Sequence, residues 1–430
     1  MDRSRVLLIS AEPLAARMPG PAIRTYELGR ALAAHADVVL ACPRGDEPPP
    51  ALDLPVVTFH RADPRPLAGE LARADVVVAQ PPWPHVAAAI RRSGARFVAD
   101  LYDPEPFELL ETLAGRPRAV RRVAGTLTLD RILAALRDAD HVMCASEKQR
   151  DLWLGTMLAE GLLSPDGYDA DPSLRARVDV VAFGVPPEPP RRSAAGPRRG
   201  DEELVIWNGG LWDWLDAPTA IRAVGELAPR RPGLRLVFMG GGGRSQAERA
   251  TAQARALADE LGLLGGAVEF NEEWVPYERR ADWLLDADCA ISTHREHLET
   301  RFAFRTRLLD CIWAGVPIVC TRGDELAERV DREGLGAAVA AGDHVAAASA
   351  LEAVLDRGRA AYAPALERAR EELAWERTAA PLVGWRAGAG AGSAAGAGGA
   401  RPRADLGRRA RDLGLRAVLR ATGRRWWPQL

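Results

Sequence analysis

The chain has 430 residues, enough for two domains plus accessory segments, and a formal charge of −2 that argues against nucleic acid or a strongly acidic partner. Lys148 is its only lysine, so an arginine here often does no more than a lysine's work as a surface charge. Five cysteines without a C-x-x-C pair fit a reduced cytoplasm and argue against a metal site, and no run approaches the roughly twenty apolar residues that a membrane span needs. The opening run RVLLISAEP is broken by Glu12 too early for a secretory leader, so the expected location is cytoplasmic.

Short β-rich runs at 5–10 (RVLLIS), 36–43 (ADVVLACP), 74–80 (ADVVVAQ) and 96–102 (RFVADLY) alternate with Ala/Leu/Arg helical segments such as 22–34. That alternation predicts parallel strands covered by helices. One phrase recurs in both halves: a helix ends in Ala-Asp and a strand starts at once, at Ala74-Asp75, Ala139-Asp140 and Ala287-Asp288. A Pro/Arg/Gly stretch without apolar periodicity at 186–202 reads as an interdomain linker. The alternation then restarts at 203–210 (ELVIWNGG), 233–243, 267–274, 288–293 and 317–321, and a helical pattern runs from about 344 to 380. The expected fold class is α/β, with two Rossmann-like doubly wound parallel-sheet domains, 1–185 and 203–385, facing a cleft. Residues 386–403 form an Ala/Gly-rich tether, and 404–430 a basic tail; residues 401–430 hold nine Arg against Asp405 and Asp412.

The stretch RFAFRTRLLDCIWAGVPIVCT, 301–321, carries the chemistry. Thr306 suits an N-cap, 307–314 make about two helical turns, Gly315 suits the C-terminal cap and Pro317 blocks continuation. The first N–H groups of such a helix lack internal partners and carry partial positive charge, so with Arg305 and Arg307 beside them the spot suits a diphosphate. Asp310, one turn in, is placed to accept hydrogen bonds from two neighbouring ribose hydroxyls. The alternative is an ordinary i,i+3 ion pair of Arg307 with Asp310 on a solvated helix, worth only a few tenths of a kcal/mol. Residues 294–307 come directly after the strand at 288–293, and ligands of open α/β sheets gather at strand carboxyl ends.

RTRLLDCIWAGVPIVCT resembles the motif of retaining family 4 glycosyltransferases, in which an acidic residue precedes a helix ending in A-x-G-x-P and a buried strand. The resemblance implies that Asp310 holds the ribose of a nucleotide-sugar and that Arg307 lies near the donor phosphates. MPGPAIRTYELGRALAAHADVVLACP resembles the family's first loop and helix, which brings Gly20 and Arg24 to the donor. VIWNGGLWDWLDAPTAIRAV resembles the strand and loop opening its second domain, with Gly209 and Gly210 at the strand end. The likeness spans roughly residues 5–380. It implies a GT-B fold, a nucleotide-sugar as co-substrate, retention of anomeric configuration, and neither metal nor other cofactor.

Two departures stand out. The family's paired acids sit eight apart, and Phe302 occupies the first of those places; Glu299, or Glu296, reaches the same space from the preceding loop. The loop after VIWNGG has Trp212, Asp213, Trp214 and Asp216 where basic residues are usual, the tryptophans either stacking on a base or sugar or packing in the interior. In the first domain ADLYDPEPFE gathers Asp100, Asp103, Glu105 and Glu108 at a strand end. Asp103 is the choice for orienting an acceptor hydroxyl, its alternative a capping role before Pro104. Asp324 reads as the cap of the next helix.

DAD at 138–140 and 286–288 mimics a metal-binding D-x-D but falls on the helix-to-strand junctions, and GGGGR at 240–244 lacks the G-x-G-x-x-G spacing. Seven scattered His show no ligand spacing, so no metal is expected. In the tail, Leu406, Ala410, Leu413, Ala417 and Ala421 share a helical face ahead of Trp426 and Trp427, which suits an anionic membrane surface. Gly407 and Gly414 weaken that helix, and a disordered basic tail is the alternative. The expected activity is transfer of a sugar from a nucleotide-sugar to a glycan, lipid-linked or polysaccharide acceptor in the cytoplasm or on the inner face of the membrane; the alternative is an inactive nucleotide-binding subunit supporting a partner transferase.

Overall fold

The recurring Ala-Asp phrase is a seam between neighbouring strands. Asp75, Asp140 and Asp288 each accept a backbone N–H from the start of an adjacent strand, from Arg5 at 2.8 Å, Phe97 at 2.7 Å and Leu204 at 2.8 Å. Each also donates its own N–H to the same residue's carbonyl. A single carboxylate thus satisfies a donor that the ladder leaves open and fixes where the next strand begins.

The structure, a computed structural model, describes residues 3–388 apart from 17, 47, 50, 51, 213, 241–247 and 274. The first sheet has the order β3-β2-β1-β4-β5-β6-β7, with β1 Arg5–Ile9, β2 Asp37–Pro43, β3 Val56–Phe59, β4 Val76–Ala79, β5 Arg96–Asp100, β6 His141–Cys144 and β7 Val178–Val180. The second has the order β10-β9-β8-β11-β12-β13, with β8 Glu203–Gly210, β9 Leu234–Gly240, β10 Val268–Phe270, β11 Cys289–Ser292, β12 Ile318–Thr321 and β13 Gly336–Val339. Every named pairing is parallel. The central strands are buried on both faces by helices, β9 along its whole length, which is why they read as unbroken apolar runs.

β3 and β13 were not expected from the sequence. Both are short edge strands, and β13 reads GAAV, with little β-branching to mark it. Gly336 is required by contact: a Cβ there would lie 1.9 Å from the carbonyl oxygen of Ile318 in β12.

The linker 186–202 is pinned to the second lobe. Asp282 accepts from the backbone of Ser193 and Ala194, and Asp286 and Asp288 accept from Arg198. The closing helices are divided between the lobes, which corrects the boundary expected at 385. His344–Arg357 and Ala363–Glu372 pack on the second lobe, whereas Trp375–Thr378 and Ala380–Gly388 return to the first. There Trp375 packs against Phe183 with ring centroids 5.0 Å apart, Trp385 stacks on His141 at 4.8 Å, and Arg386 donates to His35 O. No described helix is long and apolar enough to cross a membrane. The expected tether and tail, 386–430, lie almost wholly outside the described residues.

Trp375 is fully buried at the join between the lobes. Its replacement by Ala is expected to lower the unfolding free energy by about 3–5 kcal/mol in a urea titration. A change within about 0.5 kcal/mol, the range of an ordinary surface substitution, would show that the returning helices do not brace the first lobe.

Candidate functional site

In the second sheet the strand order reverses between β8 and β11, the crevice in which open α/β sheets take ligands. β8 ends in Gly209 and Gly210, and Gly209, with a φ of 89°, holds a left-handed conformation that glycine adopts without strain. A Cβ on neighbouring Gly240 would come within 2.9 Å of Gly209 O, so the tips of β8 and β9 are pressed together with no side chain between. Asn208, just before, donates Nδ2 to Arg307 O at 2.6 Å and ties the tip of β8 to the start of the helix Thr306–Ala314. Gly315, at φ 66°, ends that helix as expected. Its N-cap is Arg305 and Thr306 is its first helical residue, which corrects the expected capping by Thr306: no side-chain cap bond forms.

The result is a cavity of about 640 Å³ between the lobes. From the first lobe Met18, Pro19, Gly20, Ile23 and Phe183 line it; from the second, Asn208, Gly209, Gly210, Trp212, Tyr277, Arg280, Thr306, Arg307 and Asp310. Six expected donor residues, Gly20, Gly209, Gly210, Thr306, Arg307 and Asp310, therefore share a single space. Arg307 donates Nη2 to Gly210 O at 3.1 Å, while its Nη1 is buried without a partner. Burial, with Arg305 nearby, pushes its pKa down to about 9, so an anion in the cavity would supply the compensation that the protein itself does not. The i,i+3 pair of Arg307 with Asp310 does not form. Asp310 accepts instead from Arg280 Nε at 3.1 Å, and its carboxylate keeps 37% side-chain exposure toward the cavity. Burial raises the Asp310 pKa and the Arg280 charge opposes the rise.

Two expected donor residues are committed elsewhere. Arg24 is fully buried in the first lobe, where Nε and Nη2 grip Asp100 at 2.7 and 2.9 Å and Nη2 also reaches Val181 O at 2.8 Å. It holds the carboxyl end of β5 rather than a phosphate. Arg305 donates Nη2 to Glu299 at 2.6 Å and lies 4.0 Å from Asp324, knitting the helix Leu298–Phe302 to the helix Glu325–Glu333. Asp324 caps the second of these, accepting from Leu326 and Ala327 N–H at 2.9 Å.

Glu299 and Asp103 meet where the lobes touch, outside the lining of the cavity. Asp103 hydrogen-bonds Glu108, with the charges of Glu105 and Glu299 close by and Arg305 opposing them. No side-chain cap bond forms at the helix Glu105–Thr112, so the capping alternative for Asp103 is not realised. Phe302 stacks on Phe107 of the first lobe with centroids 5.2 Å apart and planes 11° apart, and its carbonyl accepts from Gln149 Nε2 at 2.8 Å. Trp212 and Trp214 stack on each other at 5.5 Å, and Trp212 faces the cavity. Glu296 is exposed.

Sequence reasoning missed Asn208, Tyr277 and Arg280. Asn208 left a signal, a lone amide at the end of an apolar strand. Arg280 left none, because it meets Asp310 thirty residues away in a contact that only the fold creates.

Residues 202–357 match the family model described as Glycosyl transferases group 1. No curated protein matches the chain. Solved structures of the same fold include sucrose-phosphate synthase from Thermosynechococcus elongatus, 16% identical over 90% of this chain and 100% of that one, TM-score 0.62. HepE from Anabaena in complex with UDP-glucose is 11% identical over 90% and 99%, TM-score 0.61. A trehalose-6-phosphate structure from E. coli bound with UDP-2-fluoro glucose is 16% identical over 89% and 98%, TM-score 0.62. The architecture is the GT-B fold, two Rossmann-like α/β lobes. The match to Glycosyl transferases group 1 falls on the second lobe, which builds most of the cavity.

Burial, then the neighbouring acids, raise the Asp103 pKa from 3.8 to about 7. Between those values the folded protein keeps a proton that the unfolded chain has released, so stability falls as pH rises through that window. Denaturant titrations from pH 4 to 8 should show Asp103→Asn flattening the fall; an unchanged slope would remove Asp103 from the buried cluster.

Proposed function

We propose that the chain transfers a sugar from a nucleotide-sugar donor, held by the second lobe, to an acceptor held against the first. The single observation that carries this reading is the pairing, in one cavity, of a buried Arg307 N–H without a partner and a carboxylate, Asp310, on the next helical turn. The first suits a diphosphate and the second the vicinal hydroxyls of a ribose. Thr306 and the backbone of Gly209, Gly210 and Gly20 complete the phosphate end. Glucose-bearing UDP ligands in HepE and in the E. coli structure support a UDP-sugar as the first donor to test.

Catalysis rests on stabilising the leaving diphosphate by the helix N-terminus and Arg307, without a metal and with retention, while Asp103 and Glu299 act at the acceptor side. Closing of the lobes assembles the two halves. The acceptor is a glycan or a lipid-linked or polysaccharide chain, a reading supported by the basic composition of 404–430, which also motivates attachment to an anionic membrane face. Loss of liposome binding on deletion of 386–430 checks that attachment. A second reading, a nucleotide-binding subunit without turnover, draws on Phe302, which stands at an acidic place of the family pattern and packs against Phe107.

A thermal-shift panel of UDP, GDP and dTDP sugars tests the donor, since a ligand that binds only the folded state raises its stability. Arg307→Ala and Asp310→Asn each remove a charged hydrogen-bond partner, worth about 1.5–3 kcal/mol, and should weaken donor affinity roughly tenfold to a hundredfold. Turnover by purified wild-type protein that Asp310→Asn abolishes supports the transferase; a nucleotide-induced shift without turnover on any acceptor supports the second reading. No shift with any nucleotide sinks both.

A further inference from the structure

Arg280 is 8% exposed and shaped on every side. Its Nε serves Asp310, its Nη1 donates to Tyr277 O at 2.8 Å, and its Cζ lies over two rings, 3.5 Å from the Tyr277 centroid and 4.4 Å from that of Trp313. Each ring is itself fastened outside the second sheet. Tyr277 donates its hydroxyl to Glu27 Oε1 at 3.0 Å, and Glu27 belongs to the helix Gly20–Ala33 of the opposite lobe, where it also accepts from Arg30. Trp313 donates Nε1 to Glu188 O at 2.8 Å, in the linker.

Resting on the donor reading, we propose that Arg280 is the positioning residue for Asp310 and that its aromatic walls make this positioning conditional on the two lobes being together. A guanidinium packed over both rings and anchored through Nη1 keeps its Nε aimed at Asp310, so the carboxylate it holds is pre-set for the ribose. When the lobes part, the Tyr277–Glu27 bond breaks, one wall is released, and Asp310 loses its orientation. Donor affinity and lobe closure are then linked, and the linkage is reciprocal: nucleotide bound at Asp310 favours the closed form.

The test uses the full chain. Tyr277→Phe keeps the ring and removes only the interlobe hydrogen bond, Glu27→Ala removes its acceptor, and Glu27→Gln keeps an oxygen there. UDP and GDP affinities are measured by calorimetry, donor KM and kcat by turnover, and the radius of gyration by small-angle scattering with and without nucleotide. Expected are an affinity loss of about tenfold for Tyr277→Phe and for Glu27→Ala, no further loss in the double variant, near-complete rescue by Glu27→Gln, and a loss that falls on KM and not on kcat. The nucleotide-free variants should also scatter as larger particles. Losses that multiply in the double variant, or wild-type affinity in Tyr277→Phe, would overturn the coupling while leaving the donor reading intact. Absence of nucleotide binding by the wild-type protein would overturn both.

Discussion

The bond from Asn208 Nδ2 to Arg307 O governs how the rest of the cavity is arranged. It joins the tip of a strand to the mouth of a helix that starts almost a hundred residues later, and it does so at the one place in the second sheet where neighbouring crossovers diverge. Because Gly209 and Gly240 carry no side chains, the strand tips and the helix start approach closely enough to leave a concave surface of backbone and guanidinium. Thr306, Arg307 and Asp310 inherit their positions from that junction, and Arg280 in turn inherits a partner.

Charge in this molecule divides into two populations. Arg24 and Arg305 are buried and paired with carboxylates, Asp100 and Glu299, so that each stabilises a junction, and their own unpartnered nitrogens, Arg24 Nη1 and Arg305 Nε, belong to residues that do not line the cavity. Arg307 lines the cavity, with Trp207 beneath its guanidinium and a carbonyl on one arm. Pairing of a buried charge is costly to break and adds little to affinity, whereas an incompletely matched guanidinium at a cavity wall gains from any anion that arrives. The difference between a structural arginine and a binding one lies in what surrounds it, and a chain with almost no lysine gives no compositional hint of which is which.

That division explains how far the sequence could be read. The central strands of both sheets and the helix starting at Thr306 were legible because strand runs, a glycine stop and Pro317 are local signals. Asp310 was legible for the same reason. The pairing of Arg24, expected at the donor, with Asp100 was not legible, because Asp100 is seventy-six residues distant and no periodicity relates them. The pairing of Arg305 with Glu299 was hidden because adjacency to Arg307 looks like cooperation, while the two reach different partners, Glu299 and Gly210 O. The division of the closing helices between lobes was likewise invisible, since apolar faces do not state which lobe they cover.

The chain crosses between the lobes twice, and the crossings lie side by side: Val185 donates to Leu373 O at 2.8 Å and accepts from Trp375 N at 3.0 Å. Two adjacent, mutually bonded crossings act as one pivot. Sliding one crossing past the other would break both bonds, whereas rotation of the lobes about them can keep both. Displacement then grows with distance from Val185.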